Sequence, residues 1–201
     1  HPRFVSLGEL QADRMLAAVE AANIPVVMAH RSRENPAMRE IKRRGQSGEW
    51  GPLIQLKAHG KGDHRTGTTD TLVLGTHELD AMVFITGEPP VTCWGSVLVE
   101  GRPATRADAQ ASPTYGIGQV AGDRLFAEYV FPSGVIGTYE SLPVGDGSRG
   151  SEWLGLDLYY QNALITTRAR PGAQIHMFSA GGVFAQDYMG EWSALCADGW
   201  T

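Results

Sequence analysis

The chain has 201 residues, 42% of them hydrophobic and 19% charged, which is enough apolar content for a sizeable core and excludes a disordered protein. Its formal net charge of -5, with Lys and Arg scattered, leaves no electrostatic footprint for nucleic acid or an anionic membrane, so a small-molecule partner is expected. No apolar run reaches the length of a membrane span, and Cys93 and Cys196 match no metal-ligand spacing, which argues against a disulfide scaffold and predicts buried thiols in a reducing, cytoplasmic setting.

The first residues, "HPRFVSLGEL", do not read as a signal peptide, and a start on His1 rather than Met is expected of a piece of something longer, with room for an export signal upstream. "SLGELQADRMLAAVEAAN" then places Ser6 and Glu9 in capping-box relation and Leu10, Met15, Leu16 and Val19 at helical spacing, with Asn23 as its end. "IPVVMA" is a short, Val-rich apolar run, the mark of a strand covered on both faces. Asn35 and Pro36 open a second helix over 36–44, stopped by Gly45.

Strand signals follow, punctuated by Gly and Pro. "LIQLKAHGK" read as extended chain puts Gln55, Lys57, His59 and Lys61 on one polar face. A helix is expected near 75–87, then a strand in "CWGSVLVEG". "LFAEYVF" and "VIGTYES" form a hairpin across Pro132, Ser133 and Gly134, and "LGLDLYYQNALITTRAR" another about Gln161 and Asn162. This order predicts an α+β fold with an open, mainly antiparallel sheet and flanking helices, preceded by the tail of an α/β domain.

The chemical question centres on "DTLVLGTHELDAM". On a helix Val73, His77 and Asp80 share a face, and an imidazole held by a carboxylate is a general acid/base near neutral pH. A histidine near a helix start is more often structural. "HGKGDHRTGTTD" adds His59, Lys61, Asp63, His64 and Asp70, residue types that can line a pocket or ligate a metal, although the spacing matches no defined metal motif and a solvated loop is the plainer reading. "YGIGQVAG" is not a phosphate loop, because no strand precedes it and no helix follows. Tyr159, Tyr160 and Trp153 can flank a ligand, but aromatic residues in strands usually pack.

Three stretches carry a resemblance: "SLGELQADRMLAAVEAANIPVVMAHRSRENPAMREIKRRGQSGEWGPLIQLK", "GTHELDAMVFITGEP" and "GIGQVAGDRLFAEYVFPSGVIGTYES". In this order they resemble the glucose-fructose oxidoreductase / inositol dehydrogenase / MocA family of NAD(P)-dependent oxidoreductases. The resemblance implies that residues 1–30 are the last helix and strand of a Rossmann domain and that 31–201 form a substrate-binding domain that oligomerises through its open sheet face. It implies hydride transfer between NAD or NADP and a sugar or polyol hydroxyl, with no metal. In the family's Asp-x-x-x-His motif His77 matches the histidine, Val73 stands at the aspartate position, and Asp70 or Asp80 would orient His77 instead. Arg33 matches an arginine near cofactor and substrate, His30 and Arg31 fall beside the cofactor, and Lys61 and His59 would contact substrate. The catalytic lysine of the family's Glu-Lys-Pro motif has no counterpart before Pro2.

Two rivals remain. One is a non-catalytic carbohydrate-binding or assembly domain of the same fold, favoured by Val73. The other is a metal-dependent sugar hydrolase or isomerase using His59, Asp63, His64 and His77.

Overall fold

A computed structural model describes residues 7–112, 116–144, 154–168, 173–177 and 192–195. Four α-helices, α1 (Leu7–Ala22), α2 (Pro36–Gln46), the single turn α3 (Gly67–Asp70) and α4 (Thr76–Thr86), accompany eleven strands. The strands are β1 (Leu53–His59), β2 (Thr92–Val99), β3 (Arg102–Pro103), β4 (Gln110–Ala111), β5 (Gln119–Val120), β6 (Arg124–Val130), β7 (Ile136–Ser141), β8 (Gly155–Tyr160), β9 (Ala163–Arg168), β10 (Ala173–Met177) and β11 (Trp192–Leu195).

Nine of them form one sheet in the order β11-β10-β9-β8-β1-β7-β6-β2-β3, and β4 pairs separately with β5. Every pairing is antiparallel except that of β1 with β7. The fold is therefore α+β, as its sequence pattern predicts. Both expected hairpins are present, the first closed by Gly134 in the left-handed region (φ 85°) with Phe131 N–H donating to the Val135 carbonyl at 3.0 Å.

One face of the sheet is covered. Met38 and Ile41 of α2, with Ala81, Met82 and Ile85 of α4, pack on Leu56, Ala58, Tyr139, Leu156, Leu158 and Ile165, all buried. The alternate residues Gln55, Lys57, Thr138, Glu140, Asp157 and Tyr159 lie on the other face, since strand side chains alternate sides and these positions pair across β1, β7 and β8. That face forms a shallow concavity bordered by Trp94, which is 67% exposed.

Three local expectations are corrected. Residues 24–30 form no strand, and Ile24, Val26, Val27 and Met28 stand 55–89% exposed, because no strand among the described residues lies beside them to close a ladder. Asn23 does end α1, in a left-handed conformation (φ 50°), with Ile24 N–H donating to the Val19 carbonyl and Asn23 N–H to that of Glu20. Gly45 does not stop α2, which runs on to Gln46; a Cβ at Gly45 would sit 2.3 Å from the Tyr160 hydroxyl, so the glycine serves packing. Cys93 is exposed on the first half of β2, beyond the strands that α2 and α4 cover, while Cys196, Ser6, His1, Pro2 and Trp153 lie outside the described residues.

Candidate functional site

α4 has two working faces. Glu78, Ala81, Met82 and Ile85 follow helical spacing and are all buried against the sheet. His77, Asp80 and Phe84 form the neighbouring stripe, which faces the 3₁₀ turn Arg31–Glu34. His77 and Asp80 therefore do share a face. Val73 falls in a π-helical turn, Thr71–Gly75, whose wider winding breaks the regular α-helical relation to His77.

The second stripe is tied down by an ion pair. Arg33 donates from Nε to Asp80 Oδ2 and from Nη2 to Asp80 Oδ1, each at 2.7 Å, the planar bidentate geometry that guanidinium and carboxylate favour. This clamp brings His30 against His77, ring centroids 5.4 Å apart and planes at 77°. Partial burial and then the positive potential of His30 and Arg31 hold the His77 imidazole below its usual pKa, with Asp80 opposing. The unprotonated form of the His77 imidazole is thereby favoured. Asp80 spends both oxygens on Arg33 and makes no hydrogen bond to His77.

Asp70 is fully buried at the root of the same helical segment. Its Oδ2 accepts from Ser141 Oγ (2.8 Å), from the Lys61 N–H (3.1 Å) and from the Tyr139 hydroxyl (3.4 Å), while its Oδ1 has no partner. Burial raises its pKa against those hydrogen bonds. A Cβ on Gly60 would lie 2.0 Å from Asp70 Oδ2, so glycine there lets the loop after β1 approach the carboxylate. Asp70 consequently anchors the loop carrying Lys61 rather than the ring of His77. Lys61 Nζ in turn lies 3.0 Å from Asp63, which also pairs with Arg65. Burial works to raise the pKa of Asp63, but the Arg65 and Lys61 hydrogen bonds outweigh it and hold the carboxyl far below the usual range.

His59 sits on the other sheet face. Its Nδ1 bonds Glu140 Oε1 and its Nε2 bonds Asp157 Oδ2, both at 2.9 Å, and Arg168 donates to Asp157 Oδ1 at 2.6 Å. Both ring nitrogens are thereby engaged, and the ring is spoken for. His64 is exposed, and among the described residues no group of His, Cys, Asp and Glu is gathered to hold a metal. The residues of the metal-dependent reading do not converge: His59 lies between two carboxylates, Asp63 pairs with two cations, the exposed His64 lies 4.0 Å from Asp63, and His77 packs against His30.

Sequence reasoning passed over Glu78. It is 8% exposed, and burial raises its pKa to about 7, Asp70 adding to the rise and His59 and Arg168 opposing it. Its spacing to Ala81, Met82 and Ile85 was the available signal, since those residues mark the buried face.

No family model matches the sequence, and no curated protein does. Solved structures do. The UDP-N-acetylglucosamine 3-dehydrogenase of Acidithiobacillus ferrooxidans superposes over 92% of this chain and 52% of its own, with TM-score 0.63 and 16% identity. A levoglucosan dehydrogenase in complex with NADH and levoglucosan covers 92% and 51%, with TM-score 0.65 and 15% identity. A super-repressor mutant of Gal80p from Saccharomyces cerevisiae covers 95% and 51%, with TM-score 0.65 and 11% identity. The chain spans about half the length of each, and it has the fold of the corresponding half of these proteins.

Proposed function

We propose that this chain is the substrate-side part of a nicotinamide-dependent oxidoreductase acting on a sugar or polyol hydroxyl, with His77 as general acid/base. His77 itself carries the reading: an imidazole whose unprotonated form is favoured by burial and by neighbouring positive charge, on the helix stripe that faces the segment entering from α1. Such a group takes a proton at neutral pH. The fold shared with sugar-acting dehydrogenases supports it.

In this reading residues 1–30 belong to a cofactor domain and 31–201 to the substrate domain. The exposed Ile24, Val26, Val27 and Met28 support that division, because a contiguous apolar stretch is stable in water only when another element covers it. The residues present fit the nicotinamide end of the cofactor alone. His30, whose buried Nδ1 has no hydrogen-bond partner, adjoins His77, whereas the sequence holds no glycine-rich turn that leads from a strand into a helix. Bound nicotinamide supplies the hydride acceptor. His77 receives the hydroxyl proton, the Arg33–Asp80 clamp positions it, and Asp70 positions the loop that offers Lys61 to substrate oxygens. His59 has no substrate contact in this scheme. The concave sheet face, with Trp94, Phe126, Lys57 and Glu128, is where a second copy docks.

Replacing His77 with Ala in the full-length protein should lower turnover by about 10²–10⁴ while leaving substrate KM within a few fold, as expected when a general base is removed. Turnover within a few fold of the parent would sink the reading and leave a binding or assembly role for the fold.

A further inference from the structure

The side of α4 that bears His77 faces an exposed cation, Arg31, and has no carboxylate left to balance it. His30 and His77 meet edge to face. Arg31, next in the chain, is exposed and makes no ion pair or hydrogen bond among the described residues. The acids nearby are all committed: Asp80 gives both oxygens to Arg33, Glu34 pairs with Arg39, and Glu78 lies on the buried face toward the sheet. His30 Nδ1, buried and without a partner, is a polar atom whose desolvation is not offset within the chain. Donors and positive charge without a competing acid are complementary to an oxyanion, and an uncharged polyol would leave them only weakly matched.

We infer that the substrate handled beside His77 is an acidic one, a polyol or sugar bearing a carboxylate or phosphate that Arg31 binds. The inference rests on the reading of His77 as the substrate-facing base and narrows it from sugars in general to charged ones. The guanidinium of Arg31 takes the oxyanion through its paired N–H groups, which places a neighbouring carbinol toward His77. The same positive charge favours the unprotonated imidazole, so the group that selects the substrate also keeps the base ready.

The test is calorimetric titration of the full-length protein, free of cofactor, with D-gluconate, D-glucitol 6-phosphate, uncharged D-glucitol and nicotinamide mononucleotide. Histidine side-chain NMR, assigned with the His30→Ala and His77→Ala variants, locates each ligand. At least one acidic polyol should bind about tenfold or more tightly than D-glucitol and shift the His30 and His77 signals, the size expected for one charge-assisted contact. Arg31→Gln should abolish that preference, bringing the affinity of the acidic polyol down to that of D-glucitol. Equal binding of charged and uncharged polyols would overturn the inference and leave His77 as base intact. Tighter binding of the mononucleotide than of either acidic polyol, with the same shifts, would assign the positive charge to the cofactor and also overturn it. Failure of His77 itself is read separately, from the turnover of the Ala variant.

Discussion

Two adjacent residues on α4 have opposite destinies. His77 turns to the partly exposed stripe and its pKa is lowered, whereas Glu78 turns inward and burial raises its pKa to about 7. For Glu78 the sign of the linkage follows directly. Its pKa rises from 4.5 to about 7 on folding, so the folded state binds the proton more tightly, and stability falls as pH rises from about 4.5 to about 7. Glu78→Gln removes that slope. At pH 8 it should be more stable than the parent by up to about 3 kcal/mol, and near pH 4 nearly equal to it, a difference read from urea unfolding at several pH values. A parent whose stability is flat across that window would show that the carboxyl is solvated or paired.

At the scale of elements, glycines decide how closely helices approach the sheet. Gly45 in α2 sits over the Tyr160 hydroxyl, and Tyr160 is itself packed on Trp50 with ring centroids 5.1 Å apart. Ala is the better helix former by about 1 kcal/mol, yet Gly45→Ala should destabilise by about 1–3 kcal/mol because the added methyl displaces a ring with nowhere to move. Combining it with Tyr160→Phe, which removes the clashing oxygen, should recover part of the loss in thermal unfolding. Were Gly45→Ala neutral or stabilising alone, Tyr160 would have to be free to shift. The helical spacing, the Asn35 cap and both hairpins were legible in the sequence because each depends on neighbours within a few residues. The π-turn at Thr71–Gly75 was not, since nothing local requires it.

On the scale of the whole molecule, two apolar surfaces among the described residues lack cover. One is the apolar stretch around Val27, assigned above to a cofactor domain. The other is the open sheet face, where Trp94, Phe126 and Ile136 are exposed around Lys57, Glu128 and Glu140. Ile136→Glu in the full-length protein should shift its assembly toward monomer in sedimentation analysis, since a charge buried between two such faces is desolvated without a partner. An unchanged oligomer would place the contact elsewhere, and a monomeric parent would remove it altogether.

The sequence by itself determined the class of fold, the strands of the sheet core and the presence of His77 on a helix, because periodicity and turn chemistry act over short range. It offered Asp70 or Asp80 as the carboxylate that orients His77, and neither makes a hydrogen bond to that ring. It took the folded chain to pair Asp80 with Arg33, 47 residues away, to seat Asp70 against Ser141 of β7, and to place His59 between Glu140 and Asp157. Carboxylates are satisfied by whichever donor the packing brings within hydrogen-bonding distance, and β1 lies between β7 and β8, whose residues come some eighty to a hundred positions later in the chain.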